Sequence, residues 1–537
     1  MESLRRAQTL GCGGALHLVQ ALARAEGAAP PRLWLVTRGA QAVGAAPAPL
    51  AVGQAPLWGL GRTIAQEHPT LHCVRVDLDT VGAGTGAPAL LRELCTPGPE
   101  DQVAFRGEDR YVARLVRAAA TEPTRPGPGI RSEGAYLITG GLGGLGLTVA
   151  RWLVAQGARN LVLLGRREPT AEAREAIAEM EAQGARVRAL RADVSRPEDI
   201  TRVLAEIAAS LPPLRGIVHA AGVLDDGVLL EQDLERFATV MAPKVAGAWT
   251  LHTHTQRLPL DFFVLFSSGA SLLGSPGQGN YAAANAFLDA LAHHRRALGL
   301  PALSINWGPW AEVGMAARLR DQDQRRHMDQ GVGLIPPAQG VQVLGELLRQ
   351  RSAQVGVLII DWTMLLGQVP VDARSPVYSR VALESPARQN ADPGATPRHE
   401  LLRQLEEVPP GKREAILLAH VQEQVVKVLG LNPSRPPGQQ EGLTEIGMDS
   451  LMAVELRKRL EASVARSLPA TLAFENPTIE AISAYLSKEL FPREVSVPTP
   501  RASQDQDGQA RIEADLEGLS REEMEASLLA ELDQAGY

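Results

Sequence analysis

Residues 134–157, GAYLITGGLGGLGLTVARWLVAQG, combine an apolar strand, a glycine-rich turn and an amphipathic helix. A TGxxxGxG pattern lies at the junction of strand and helix and comprises Thr139, Gly140, Gly144, Leu145 and Gly146. Glycine lets the backbone turn tightly and approach a pyrophosphate, which lies on the positive end of the following helix. A lone glycine-rich loop is weak evidence, but here the flanking strand and helix supply the context. The segment predicts an α/β fold whose doubly wound parallel sheet binds a dinucleotide.

The second predicted strand, RNLVLLG, ends in Gly165-Arg166-Arg167 instead of an acidic residue. An acid at that position would hold the ribose 2′-hydroxyl of NAD, whereas Arg166 and Arg167 suit the 2′-phosphate of NADP. A solvated basic turn is the alternative. Further candidate cofactor contacts follow later predicted strands: Asp193, Val194, Ala220, Ala221 and Gly222. The sequence therefore predicts NADPH as the cofactor.

Residues 1–120 also alternate helical and strand patterns, but no glycine fingerprint follows a strand there. The GLGR at 59–62 lies within a helical pattern, which favours packing over cofactor binding. We expect a truncated, cofactor-free α/β subdomain at 1–120 and a catalytic subdomain at 130–366. Pro- and Gly-rich segments then predict a linker at 367–404, a helical domain at 405–490, a second linker at 491–515 and a helix at 516–537.

Composition excludes several classes of protein. A chain of 537 residues is too long for one compact core, so several domains are expected. Its net charge of −7 does not provide the positively charged surface that nucleic-acid binding needs. Three cysteines without a CxxC pair predict neither a disulfide framework nor a zinc site. No run of about 18 apolar residues and no signal core is present, so we expect a cytoplasmic protein without a membrane span.

A constellation of catalytic residue types lies at 263–292, FVLFSSGASLLGSPGQGNYAAANAFLDALA. Ser268 ends a predicted strand, and Tyr281 follows thirteen residues later on a predicted helix. Asn285 lies one turn beyond Tyr281, so both can face one cleft. Lys244 lies upstream in MAPKVAGAWTLH. The alternative is a buried tyrosine hydroxyl satisfied by chance neighbours.

On these residues the chain, from about residue 1 to 366, resembles the ketoreductases of modular polyketide synthases, within the short-chain dehydrogenases/reductases. Most of that superfamily carries Tyr-x-x-x-Lys, whereas this chain has Tyr281-Ala-Ala-Ala-Asn285 with the lysine at Lys244. This exchange is typical of the polyketide ketoreductases. The resemblance implies two Rossmann-like subdomains and reduction of a β-keto thioester by NADPH. It also implies that Tyr281 donates a proton, Ser268 bonds the same oxygen, Lys244 favours phenolate and Asn285 holds water.

Two further segments bear on the outcome of that reaction. Leu224-Asp225-Asp226 matches the LDD motif of B-type ketoreductases, which form the D-configured hydroxyl, and Leu273 replaces the tryptophan of A-type members. A helix-entry loop with acids near a helix dipole is the alternative. Gly308-Pro309 resembles the segment beside the nicotinamide, and we expect residues from Met315 onward to form a lid.

Ser450, in GMDSLMAVEL at 447–456, has three candidate roles. A hydrolytic nucleophile is weakly supported, because no GxSxG elbow occurs and no histidine follows His420. A helix N-cap is plausible from the apolar periodicity that follows. The segment resembles the attachment motif of acyl carrier proteins, which implies a covalent 4′-phosphopantetheine arm on Ser450 added by a phosphopantetheinyl transferase.

The last segment, 516–537, has a capping-box spacing and one apolar stripe. It resembles the docking segments that link polyketide synthase subunits, and a frayed tail is the alternative. The expected partners are a carrier-bound β-ketoacyl thioester, other synthase domains and a downstream subunit. We expect the chain to begin within a module of a longer polypeptide. A second hypothesis is a scaffold whose reductase fold is inactive or only epimerises.

Overall fold

The computed structural model describes residues 2–25, 31–44, 48–80, 86–96, 98–118, 129–314, 331–367, 374–384, 400–432, 435–464, 466, 468–469 and 471–491. The predicted lid from Met315, most of the first predicted linker, all but the first residue of the second predicted linker and the predicted C-terminal helix lie outside these residues. Over the described part, two sheets built mainly of parallel strands, each with flanking helices, are followed by a helical bundle, which confirms the predicted fold class.

The first sheet is short and mixed. Its strands are β1 (Trp34–Arg38), β2 (Val74–Leu78), β3 (Gln102–Arg106) and β4 (Asp109–Val112). The first three are parallel and β4 returns antiparallel beside β3. The helices of this subdomain are α1 (Glu2–Gln8), α2 (Gly14–Arg24), α3 (Pro56–Glu67) and α4 (Gly86–Cys95). Helix α4 lies between β2 and β3, where no helix is predicted above.

The second sheet has seven parallel strands in the order β12-β10-β9-β8-β5-β6-β7. They are β5 (Ala135–Thr139), β6 (Asn160–Gly165), β7 (Arg186–Arg191), β8 (Leu214–His219), β9 (Phe262–Ser268), β10 (Leu303–Trp307) and β12 (Gln354–Val357). A separate antiparallel pair comprises β11 (Val332–Gly333) and β13 (Ile359–Ile360). The chain direction across the sheet reverses between β5 and β8, which is where such folds form a ligand crevice.

Helices cover both faces of the second sheet. The described helices from residue 129 to residue 384 are α5 (Gly144–Ala155), α6 (Ala171–Ala182), α7 (Pro197–Ser210), α8 (Leu234–Met241), α9 (Gly247–Thr255), α10 (Gly269–Leu273), α11 (Gly279–Ala297), α12 (Pro337–Leu347), α13 (Trp362–Gly367) and α14 (Ser379–Leu383). A π-helical turn, Ala242–Ala246, joins α8 to α9, and a 3₁₀ turn, Leu229–Glu231, precedes α8. The 3₁₀ turn before α14 (Pro376–Tyr378) packs on the first subdomain, since Leu115 N–H donates to the Val377 carbonyl.

The two subdomains meet where α3 packs against α11. Gly59 lies at this contact, and a methyl group there would overlap the carbonyl oxygen of Ala282. Gly61, in the same motif, faces the side chains of Arg75 and Leu35. The prediction that GLGR serves packing is therefore confirmed. The glycine allows α3 to approach the backbone of the helix that carries Tyr281.

The helical bundle comprises α15 (Glu400–Glu407), α16 (Pro410–Leu429), α17 (Ser450–Val464), α18 (Leu472–Glu475) and α19 (Ile479–Leu490). As predicted, α16 ends at Gly430, whose φ is +63°. The described residues up to Leu486 belong to one compact unit. Within it, Arg457 of α17 donates to the carbonyls of Gln66 (3.0 Å) and Glu67 (2.6 Å) and so caps the C-terminus of α3.

In the part of the chain that the structure describes, no helix is long and apolar enough to cross a bilayer. No group of three or more histidines, cysteines or acids among the same residues could hold a metal ion. The three cysteines are unpaired.

Gly59→Ala should lower the free energy of unfolding by about 1–3 kcal/mol, because the added methyl overpacks the α3–α11 contact. Guanidinium denaturation measures the change. Gly14→Ala is the matched control, since a methyl on exposed Gly14 of α2 meets nothing within 4 Å and helical alanine is favoured over glycine. Equal or higher stability of Gly59→Ala would contradict this account of the contact.

Candidate active site

The candidate site lies at the carboxyl ends of the seven parallel strands, beside the reversal between β5 and β8. Gly140 follows β5 with a φ of +68°, and a methyl group there would lie 2.9 Å from the Ala221 nitrogen. A methyl at Gly146 would overlap the Gly140 carbonyl. The turn is therefore a backbone cradle that only glycine can form at these positions.

The N-terminus of α5 faces this cradle with its backbone N–H groups uncapped by a side chain. Its N-cap residue is Gly143, and the first turn holds no acid. Such an end attracts a phosphate. Arg166 and Arg167 are exposed just after β6 and form no ion pair with a described residue. The donors present therefore fit a phosphate-rich dinucleotide.

Most of the other predicted cofactor residues lie at or just beyond the carboxyl ends of the parallel strands. The Thr139 hydroxyl is buried at 2.7 Å from His219 Nδ1. Val194 is a buried core residue, and the Asp193 carboxylate accepts from Ser195 N–H (2.9 Å). Leu145 faces Gly314, and the Pro309 carbonyl accepts from Ile335 N–H (2.8 Å).

Lys244 and Tyr281 come together from different elements. Tyr281 is in the first turn of α11, and the Lys244 ammonium lies 5.2 Å from the centre of its ring. Lys244 projects from the π-helical turn and donates to the Phe266 carbonyl (2.9 Å). A methyl at Gly222 would lie 3.0 Å from Lys244 Cε, so the end of β8 lies against the lysine. The cofactor crevice and the tyrosine are thus adjacent.

Burial dominates the protonation of this pair. It raises the pKa of the Tyr281 phenol to about 12, while the side chains of Asn285 and Ser268 lower it by less. Burial lowers the pKa of Lys244 to about 7, against a smaller opposite effect of Asp289. Both shifts favour the uncharged form, so Tyr281 holds its proton at neutral pH.

Ser268 and Asn285 complete the predicted set. Ser268 is the last residue of β9, and its Oγ accepts from Ala270 N–H at 3.2 Å as the N-cap of α10. Asn285 is fully buried and donates to the Tyr281 carbonyl (2.8 Å). Its Oδ1 is buried without a hydrogen-bond partner among the described residues. Such an atom fits the predicted role of holding a water.

Asp289, one turn beyond Asn285 on α11, has no assigned role in the sequence patterns. Its carboxylate accepts from Ser271 (2.6 Å), Ser304 (2.6 Å) and Asn306 (2.8 Å). It supplies the negative charge that acts on Lys244. Because Asp289 lies four residues after Asn285, the helical spacing could have placed it on the same face from the sequence alone. Its hydrogen-bond partners, however, lie on other elements.

The LDD acids are paired. Asp225 forms a 2.8 Å ion pair with Arg236, and Asp226 accepts from Gln278 (2.9 Å). Burial raises the pKa of Asp226. Leu224 packs against the core. Gln278 lies three residues before Tyr281, so the LDD acids reach the entry to α11.

Ser450 lies at the first residue of α17, next to its N-cap. Asp449 is the cap, because its Oδ1 accepts from Met452 N–H at 2.8 Å. The helix-cap interpretation of Ser450 is therefore wrong, since an acid already fills that position. The Ser450 hydroxyl instead donates to the Glu231 carboxylate. It is not needed to hold the helix.

Three family models match the chain. Residues 3–115 match "Polyketide synthase extender module SpnB, Rossmann fold domain", residues 134–312 match "KR domain", and residues 419–486 match "Phosphopantetheine attachment site".

Curated relatives are polyketide synthases. Polyketide synthase GfsA of Streptomyces halstedii is 39% identical over 483 residues, which cover 89% of this chain and 6% of the relative. Spectinabilin polyketide synthase system protein NorA of Streptomyces orinoci is 37% identical over 520 residues, which cover 96% of this chain and 27% of the relative. The chain spans well under half the length of either relative.

Solved structures resemble about two thirds of the chain. An A1-type ketoreductase is 39% identical with a TM-score of 0.64, and the match covers 68% of this chain and 76% of that one. The first ketoreductase of the tylosin PKS is 35% identical with a TM-score of 0.62, over 70% of this chain and 80% of that one.

The buried Lys244 should make stability depend on pH. Its pKa is 10.5 when unfolded and about 7 when folded, so between these values the unfolded chain binds a proton that the folded chain does not. The free energy of unfolding should rise with pH across this window by more in the wild type than in Lys244→Met. Urea denaturation of both proteins at about pH 6.5 and 9 measures the difference. A difference that does not change with pH would contradict a lowered pKa for Lys244.

Proposed function

The chain belongs to the ketoreductases of modular polyketide synthases, joined here to a phosphopantetheine carrier domain, and we propose that it reduces the β-keto group of its own carrier-bound chain with NADPH. The observation that supports this most directly is the approach of Lys244 to the Tyr281 ring (5.2 Å) beside the glycine cradle. A nicotinamide cofactor bound there supplies the hydride.

The protein's own residues would handle the proton and the developing charge. Tyr281, which holds its proton at neutral pH, donates it to the alkoxide oxygen. Ser268 donates a hydrogen bond to the same oxygen. Lys244 supplies positive charge near the phenol in its ammonium form, and Asn285 Oδ1 holds the water that returns the proton. Each of these side chains has the donor, acceptor or charge that its proposed role requires.

We assign the product the D configuration of the B type. Asp225 pairs with Arg236 of α8 and Asp226 accepts from Gln278 at the entry to α11, so the LDD motif lies next to the turn that leads into the helix of Tyr281. Leu273 occupies the position at which A-type ketoreductases carry a tryptophan. Two of the similar solved structures are A-type ketoreductases, which makes the configuration of the product an informative measurement.

Ser450 would carry the substrate as a thioester on a phosphopantetheine arm. Its hydroxyl is not needed as a helix cap, and the N-terminus of α17 favours a phosphodiester anion. Esterification removes the proton that Ser450 donates to Glu231 and places an anion beside that carboxylate. The contact with Glu231 therefore belongs to the unmodified serine. We also propose, from the sequence, that residues 516–537 dock to a downstream synthase subunit.

A β-ketoacyl thioester should be reduced at least about 100-fold more slowly by Tyr281→Phe, because the proton donor is lost. NADPH absorbance measures the rate, and chiral chromatography of the product tests the D assignment. Tyr136→Phe is the control, since Tyr136 lies at the opposite end of β5 and bonds Arg131. Undiminished turnover in Tyr281→Phe, or an inactive wild type, would favour the scaffold alternative.

Incubation with a phosphopantetheinyl transferase and coenzyme A should add one arm to the wild type and none to Ser450→Ala. Intact-protein mass spectrometry measures the addition. Ser463→Ala is the control, because Ser463 lies on the same helix and bonds the Arg459 carbonyl (2.9 Å). An arm on Ser450→Ala would place the attachment elsewhere.

Replacement of Arg166 or Arg167 by alanine should raise the KM for NADPH about tenfold and leave the KM for NADH unchanged, because each arginine would bond the 2′-phosphate. Steady-state kinetics with both cofactors measure the effect. Arg186→Ala is the matched control, since Arg186 is exposed at the amino end of β7, away from the crevice. Equal changes for both cofactors would argue against 2′-phosphate recognition.

A further inference from the structure

A buried carboxylate of the first subdomain reaches into the catalytic one. Glu67, at the end of α3, is 1% exposed. One oxygen accepts from Leu229 N–H (2.7 Å) and the other from Gly277 N–H (2.8 Å). Leu229 lies in the LDD loop, which we define as residues 222–232, and Gly277 precedes α11. One side chain therefore ties together the two segments that flank Tyr281.

A second residue of the first subdomain holds the same loop. Gln20 of α2 donates from Nε2 to the carbonyls of Leu229 (2.8 Å) and Gln232 (2.8 Å). Gln232 in turn donates to the carbonyls of Asp225 (3.1 Å) and Gly227 (3.1 Å). The position of the LDD acids thus depends on a hydrogen-bond chain that begins outside the catalytic subdomain.

The chain of hydrogen bonds ends at the tyrosine. Asn280 is fully buried and donates to the Asp225 carbonyl (2.8 Å) and to Gln232 Oε1 (3.0 Å). Its Oδ1 accepts from Tyr281 N–H (2.6 Å). Gly227 N–H also donates to the Gly277 carbonyl (2.7 Å). The LDD loop and the first turn of α11 are therefore held at a set separation by buried groups that are all paired.

We propose that Glu67 and Gln20 are positioning residues that hold the LDD loop against α11 and so set which face of the keto group meets the hydride. The proposal rests on the proposed ketoreductase function. It assigns a role in stereochemical outcome to a subdomain that has no cofactor fingerprint. The polar groups of this network are paired with one another, so loss of one member should let the loop move.

The test is the enantiomer ratio of 3-hydroxypentanoyl product formed from the N-acetylcysteamine thioester of 3-oxopentanoic acid. In Glu67→Gln an amide N–H₂ would face a backbone N–H, so one of the two bonds is lost. We expect the ratio to fall about tenfold, the effect of losing one buried hydrogen bond. The affinity for NADPH, measured by fluorescence titration, should be unchanged. Gln20→Leu should shift the ratio in the same direction and provides the test if Glu67→Gln does not fold.

Asp77→Asn is the matched control. Asp77 is also a buried carboxylate of the first subdomain, but it bonds Thr37, Ala40, Gln41 and Arg106 within that subdomain. It should lower thermal stability without moving the enantiomer ratio. An unchanged ratio in both Glu67→Gln and Gln20→Leu would overturn the proposal. An equal shift in Asp77→Asn would also overturn it, since general destabilisation would then explain the effect.

Hydrogen–deuterium exchange separates this proposal from the proposed function. Peptides that cover 222–232 and 274–281 should exchange at least about tenfold faster in Glu67→Gln than in the wild type, without any substrate. If the wild type reduced no thioester, the ketoreductase function and the stereochemical role would both fall. Faster exchange would then still support the anchoring of the LDD loop by Glu67, and equal exchange would remove that as well.

Discussion

The close approach of α3 to α11 is the constraint on which the arrangement of the site depends. Gly59 permits it, because any side chain there would overlap the Ala282 carbonyl. The contact brings the end of α3 to the entry of α11, where Glu67 bonds Gly277. Tyr281 follows four residues later. A subdomain without a cofactor fingerprint thereby packs directly against the helix that carries the candidate tyrosine.

Burial raises the free energy of charged groups at the site, and this determines the protonation states that its side chains favour. The pKa of Tyr281 is raised and that of Lys244 is lowered, so both groups favour their neutral forms. Asp289 opposes the effect on Lys244 from within a cluster of serine and asparagine donors. A buried pair with shifted pKa values beside a phosphate cradle is the pattern expected of a proton-transfer site. Lys244 lies on a π-helical turn and not on the helix that carries Tyr281. The two side chains therefore meet only through tertiary packing.

The carrier bundle contacts the reductase through the same helix. Arg457 caps the C-terminus of α3 through the carbonyls of Gln66 and Glu67, while the side chain of Glu67 holds the LDD loop. Ser450 lies beside Glu231, at the end of that loop. One helix end thus contacts both the carrier bundle and the LDD loop.

The sequence by itself determined the fold class, the glycine cradle and the bundle helices. It also identified Tyr281 and Lys244 as candidate catalytic residues. Those features depend on local patterns: strand and helix periods, glycine spacing and capping signals. It did not reveal α4, the Asp449 cap in place of Ser450, or the links made by Glu67, Asn280 and Asp289. Glu67 and its partner Gly277 are 210 residues apart, and their hydrogen bond exists only because α3 packs on α11. Only the tertiary structure decides such contacts, since burial and pairing of polar groups depend on neighbours that no local pattern specifies.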